Sequence, residues 1–167
     1  MAGPSDRITL REITAANRAQ IEALAVTPAQ EAFVEGVADS LLEAAATPNA
    51  MPWYRAVYDG ETPVGFVMIS DNIAPGFPEY LGPYYLWRLL IDVLWQGRGY
   101  GRATLDLIVE YVSTRPGADR LLTSVVPGEG SPLAFYLKYG FTLTGEVDES
   151  NGESILELPL PRPARTA

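Results

Sequence analysis

Residues 7–13 (RITLREI) alternate apolar and polar positions closely enough for a first β-strand, and from Thr14 the spacing widens to that of a helix reaching about Leu24. A second helix has a sharper start. Thr27-Pro28-Ala29-Gln30 offers a hydroxyl at the cap, proline at the first helical position and glutamine at the third, the signature of a capping box. The apolar spacing then carries that helix to about Ala46, where Thr47-Pro48-Asn49 stops it. Residues 53–59 and 63–70 read as two strands around the Asp59-Gly60 turn, and so as a hairpin. Three prolines and two glycines break any period over 71–83, a loop long enough to suggest a functional role.

Residues 84–93 (YYLWRLLIDV) form an apolar, aromatic run expected to be a central strand. Residues 100–112 place Leu105, Ile108, Val109 and Val112 on one side of an amphipathic helix that Arg115-Pro116-Gly117 ends. A buried strand over 121–126, a short helix over 131–138 and a hairpin of 141–147 with 155–160 complete the pattern. The order β-α-α-β-β-β-α-β-α-β-β predicts an α+β fold, a mixed sheet flanked by helices. It is expected as one domain over 1–160 with a flexible tail at 161–167.

Composition narrows the chemistry. With 167 residues, 47% of them hydrophobic, the chain can bury a real core. It has no cysteine and no histidine, which excludes thiol nucleophiles, disulfides, His-assisted serine hydrolysis and the usual nitrogen and sulfur zinc sites, so no metal is expected. Any acid or base must be Asp, Glu, Tyr, Lys or a terminus. The net charge of −9 argues against a nucleic-acid partner and suits a cationic small molecule, although acidity serves solubility equally well. No apolar run reaches 18 residues, and residues 1–10 lack both a basic start and an apolar signal core; a soluble cytoplasmic protein with no membrane partner is expected.

The junction between the central strand and the amphipathic helix reads Gln96-Gly97-Arg98-Gly99-Tyr100-Gly101-Arg102. A helix start exposes unpaired N–H groups and the positive end of the macrodipole, and glycines let a ligand approach the backbone. Arg98 and Arg102 add charge beside those amides, which favours a diphosphate. Two phosphate-loop patterns fail here. The nucleoside triphosphate loop requires Lys-Ser/Thr where Arg102-Ala103 stands, and G-x-G-x-x-G fails at Arg102 counted from Gly97 and at Thr104 counted from Gly99.

The remaining form, Gln-x-x-Gly-x-Gly at Gln96, Gly99 and Gly101, resembles the acetyl-coenzyme A pyrophosphate loop of the GCN5-related N-acetyltransferase (GNAT) superfamily. A second element agrees: Tyr136-Leu137-Lys138-Tyr139-Gly140-Phe141 is similar to the Tyr-x-x-x-Gly-Phe with which that family enters its last hairpin. The likeness spans about 7–160 and is strongest over 84–141. Glu129 and Pro132 depart from the Asn and Ala that many members carry. The local GEGSP at 128–132 resembles the branch that includes bacterial polyamine (spermidine and spermine) acetyltransferases, with Ser131 as a substitute for the usual Asn contact.

The resemblance implies a three-layer α/β/α arrangement around a mostly antiparallel sheet of six or seven strands with one splayed pair. It places the pantetheine arm on backbone groups of Leu90, Ile91 and Val93, and the pyrophosphate on the loop Gln96, Gly97, Arg98, Gly99, Tyr100, Gly101 and Arg102. It makes Tyr136 the general acid for the leaving thiolate, with backbone N–H groups near Ile91 polarising the thioester carbonyl. An alkyl amine with pKa near 10 costs roughly 4 kcal/mol to present neutral at pH 7. Glu31, Glu35, Asp71 and Glu79, from the helix and long loop expected to border the acceptor cleft, are candidates to take that proton, each alone reading more readily as a solvated surface charge. Asp92 is set aside because it faces away if Ile91 and Val93 face the site. Trp53, Tyr54, Tyr80, Tyr84, Tyr85 and Trp87 are expected around the cleft, where aromatic faces and carboxylates suit a cation.

The implied activity is acetyl transfer from acetyl-coenzyme A to a small amine, a polyamine favoured. A protein or peptide amino terminus, or a non-catalytic acyl-coenzyme A sensor or partner module, stands as the alternative. Dimers are common in the family, and a homodimer stays open.

Overall fold

Every predicted strand forms, and together they make one seven-stranded sheet in the order β1-β2-β3-β4-β5-β7-β6. They are β1 (Ile8–Arg11), β2 (Pro52–Asp59), β3 (Thr62–Asp71), β4 (Tyr84–Ile91), β5 (Arg120–Val125), β6 (Thr142–Asp148) and β7 (Glu153–Pro159). The computed structural model describes residues 7–77 and 80–160; Glu79 and the tail at 161–167 lie outside the described residues. All neighbouring strands are antiparallel except β4 and β5, which run parallel.

Helices α1 (Arg18–Glu22) and α2 (Val37–Ala46) cover one face, and α3 (Tyr100–Ser113) and α4 (Leu133–Tyr139) cover the other. Strand alternation sorts the core between them. Ala56, Phe66 and Met68 pack with Ile21, Val37 and Leu41, whereas Val57, Val67 and Ile69 pack with Leu105, Ile108 and Val112.

The helix expected from Thr27 to Ala46 is two pieces. The capping box forms as read, with the Thr27 amide donating to Gln30 Oε1 at 3.1 Å and the Gln30 amide to Thr27 Oγ1 at 3.3 Å. It closes only a short run of turns. Gly36 then adopts an extended backbone (φ −66°, ψ 167°) and serves as N-cap of α2. A helical glycine is about 1 kcal/mol worse than alanine, and here it marks the break.

Strand β4 also departs from its expected bounds. It ends at Ile91 instead of Val93, because Asp92 caps a short 3₁₀ turn over Val93–Trp95, accepting from the Leu94 amide at 3.0 Å and the Ala25 amide at 2.9 Å. Its pairing with β3 steps from Met68↔Arg88 to Ile69↔Leu86, leaving Trp87 as the extra residue of a bulge. Tyr84 and Leu86 face α3, the bulge turns both Trp87 and Arg88 toward α2, and Leu89 and Ile91 return to the α3 side. Arg88 is held there by Glu43 of α2, Nη2 to Oε2 at 2.6 Å. Next to this bulge β4 pairs with β5 only at Tyr85↔Leu122 and Leu86↔Thr123, so the two strands splay beyond it.

Candidate active site

A cavity of about 720 Å³ fills the splay. Strand β4 contributes Tyr85, Trp87, Arg88, Leu89 and Ile91, and β5 contributes Thr123, Ser124 and Val125. One end is closed by the glycine-rich junction and α4, the other by the capped turn at 26–35. The cavity therefore passes through the sheet from its α3/α4 face to its α1/α2 face.

On the α3/α4 side, Gly97 and Gly99 take left-handed backbone at φ +74° and +87°, and Gly99 is the N-cap of α3 with no side-chain cap bond. The amides of the first turn are thus left for a ligand. Gly101 is backed by Phe135, whose Cζ would lie 3.2 Å from an added Cβ, so a side chain here would crowd the wall. Arg102 lines the cavity, while the Arg98 guanidinium lies over the Trp95 ring, 5.1 Å from its centroid. Open amides, a glycine cradle and an arginine fit the diphosphate of coenzyme A.

The other junction residues hold this loop in place. Gln96 Nε2 donates to the Ile91 carbonyl at 2.9 Å and to Gln30 Oε1 at 2.8 Å, tying the strand end to the capping box. The Tyr100 hydroxyl donates to Asp59, which raises its pKa, with burial acting in the same direction. The Val93 amide donates to the Ala25 carbonyl at 2.8 Å, so that donor is already used, and Leu90 is buried in the α1/α2 core. Ser131 lines the cavity, and its Oγ accepts from the Leu133 amide at 3.3 Å at the start of α4.

Tyr136 projects from α4 into the same cavity and is 6% exposed. Edge contacts with Phe135 and Phe141, each at 5.3 Å between centroids, fix its ring. Burial pushes its pKa well above the ordinary phenol range, nearby Tyr85 pushes the same way, and a hydrogen bond with Thr123 opposes them.

On the α1/α2 side, Glu31, Glu35 and Trp87 line the cavity, and Phe33 packs over the glycines at 128 and 130. Asp71 does not join them. It is the last residue of β3, away from the cavity, where Oδ1 accepts from Arg115 Nε at 3.0 Å and Oδ2 from the Tyr111 hydroxyl at 2.6 Å. The reason is register: the loop expected to begin at Asp71 begins one residue later. Of the six aromatics expected at the cleft, Tyr85 and Trp87 line it. Trp53 stacks on Tyr111, Tyr54 packs against the α1/α2 core, Tyr80 meets Phe77, and Tyr84 donates to the Pro116 carbonyl. Gln30, Ser124 and Glu153 also line the cavity; no sequence spacing connects them, since Gln30 comes from the capped turn and the other two meet through the register of β5 and β7.

Among the described residues, no group of three or more His, Cys, Asp or Glu could hold a metal, and no helix is long and apolar enough to cross a membrane. The acetyltransferase (GNAT) family pattern matches residues 18–141. A spermine/spermidine N(1)-acetyltransferase of Bacillus subtilis (strain 168) is 29% identical over 157 residues, which cover 89% of this chain and 96% of the relative. Among solved structures, an acetyltransferase from Thermus thermophilus superposes with a TM-score of 0.67 at 22% identity, over 92% of this chain and 97% of its own. Spermidine N-acetyltransferase from Vibrio cholerae, in complex with CoA and spermine, gives 0.65 at 15% identity, over 92% and 96%. The chain belongs to the GNAT family and is an acetyl-CoA-dependent acetyltransferase.

Proposed function

We propose that the protein acetylates a primary amine of a small cationic substrate, a polyamine in preference to a peptide, with Tyr136 as the general acid. The observation that carries this reading is the cavity through the splayed sheet, with a buried phenol on one side and free carboxylates at the opposite mouth. Similarity to a spermine/spermidine acetyltransferase supports the choice of amine.

Acetyl-CoA supplies an acetyl group activated as a thioester. The first-turn amides of α3 and Arg102 bind its diphosphate, and the backbone of β4 along Leu89 and Ile91, which β5 does not pair, orients the arm. Tyr136 is a phenol, ordinarily protonated at neutral pH, and burial raises its pKa further, so it holds a proton that it can donate to a leaving sulfur. Glu31 and Glu35, both exposed at the cavity mouth, attract an ammonium group, and the Trp87 face offers it a cation–π contact.

The test is product identification by mass spectrometry after incubation with acetyl-CoA and a panel of spermidine, spermine, putrescine, an aminoglycoside and short peptides. Acetylated spermidine or spermine is expected. Acetylation of the peptides alone would transfer the reading to a protein acceptor, and tight acetyl-CoA binding without any product would transfer it to a sensing module.

A further inference from the structure

Tyr85, Ser124 and Glu153 form a hydrogen-bonded row across three strands of the sheet. Tyr85 is paired with Leu122, Ser124 lies two residues along β5 and is paired with Ile155, and Glu153 lies two residues along β7. Residues two apart on a strand share a face, so all three side chains stand on the α1/α2 side, where they line the cavity. The Tyr85 Oη to Ser124 Oγ distance is 2.6 Å and Ser124 Oγ to Glu153 Oε2 is 2.5 Å.

The row has a fixed polarity. An ionised carboxylate only accepts, so the Ser124 hydroxyl donates to Glu153. Its one proton is then committed, and the Tyr85 hydroxyl must donate to Ser124. Tyr85 Oη is left as an acceptor, which is what an ammonium N–H requires. Tyr85 and Tyr136 line the same cavity, Tyr85 from the α1/α2 face and Tyr136 from α4.

We infer that Tyr85, Ser124 and Glu153 are the route by which the acceptor amine loses its proton; this rests on the acetyl-transfer reading above. The ammonium nitrogen gives its proton to Tyr85 Oη as the Tyr85 proton moves to Ser124 Oγ and the Ser124 proton to Glu153. The nitrogen keeps its electron pair and becomes the neutral nucleophile, and partly exposed Glu153 passes the proton to water. Burial holds the Tyr85 pKa up to about 12, against the Ser124 hydrogen bond, so the phenol transmits a proton and does not store a charge. Tyr85 is the catalytic residue of the row; Ser124 and Glu153 act through it.

Other charges face the row. Arg88 of β4 is neutralised by Glu43, Asp148 of β6 lies near Tyr85, and Tyr136 and Lys138 of α4 and Glu31 and Glu35 of the capped turn line the same cavity. None of them interrupts the two hydrogen bonds.

The experiment is kcat/KM for spermidine from pH 6.5 to 10 in the native protein, Tyr85→Phe, Ser124→Ala and Glu153→Gln, with acetyl-CoA affinity measured alongside. Each variant is expected to lose about 10²-fold at pH 7. The deficit should shrink to about threefold near pH 10, where about half of the amine is neutral without help. A loss of equal size at every pH would make the row structural and overturn the inference, as would full activity of Ser124→Ala at pH 7. Absence of turnover by the native protein with any amine would remove the acetyl-transfer reading itself, and the row with it.

Discussion

The two faces of the sheet meet in one cavity but are built differently. On the α3/α4 face the groups proposed to bind the donor are mainly backbone: left-handed glycines, the open first turn of α3 and the stretch of β4 that β5 does not pair. On the α1/α2 face they are side chains, carried by a capped turn that never becomes a helix and by strands brought into register. A backbone site for a diphosphate constrains sequence to a few glycines at fixed spacing. A side-chain site for an amine can be assembled from residues far apart in the chain, and it is where specificity can change without disturbing the donor.

The largest effect that sharpens this contrast is expected from Tyr136→Phe. The aromatic contacts with Phe135 and Phe141 survive, the proton does not, and kcat should fall by about 10² or more with little change in either KM. Release of coenzyme A thiol measures it, and the protein contributes no thiol of its own. Because burial raises the Tyr136 pKa, its proton is retained as pH rises, and native kcat should show no alkaline decline up to about pH 10. A decline there would mean that another group is the donor.

Gly101→Val comes next. Its side chain would meet Phe135 and drive it into the donor side, raising the acetyl-CoA KM by about tenfold, roughly 1.4 kcal/mol, with the amine KM little changed. If both constants moved together, the two faces would not be separable. A smaller effect is expected from Glu31→Gln combined with Glu35→Gln. Both carboxylates are exposed, so the amine KM should rise about threefold at low salt, and the difference should fade at high ionic strength. Acetyl-CoA affinity should not respond. Least of all should Asp71→Asn affect turnover. It weakens contacts with Arg115 and Tyr111 away from the cavity, and a loss of about 1 kcal/mol in thermal stability with unchanged kcat is expected.

The same division decided what could be read from the sequence. The residues proposed for the donor side could be picked out because they are local in the chain: Gln96 to Arg102 sits at a strand-to-helix junction, and Tyr136 to Phe141 leads into the last hairpin. The sheet was legible for a related reason, since its central strands are strongly apolar and short turns join β2 to β3 and β6 to β7. The bulge at Trp87 was not, because one extra residue leaves the apolar count of β4 unchanged while turning Trp87 and Arg88 to the same side. Nor was the break at Gly36, where a sound capping box and apolar spacing on both sides suggested one continuous helix. Asp92 gave no cue that it would hold the Ala25 and Leu94 amides, and Asp71 none that Arg115 and Tyr111 would take it. Tyr85, Ser124 and Glu153 are separated by 39 and 29 positions, and the parallel pairing of β4 with β5 and the antiparallel pairing of β5 with β7 bring the row together.

The central claim is that amine and acetyl-CoA occupy one cavity at the same time, from opposite faces of the sheet, and react directly. Initial rates with spermidine and acetyl-CoA varied together test it most directly. Intersecting lines in the double-reciprocal plot are the expected result, since both substrates must be bound before either product leaves. Parallel lines, the signature of an acetylated enzyme intermediate, would contradict the account.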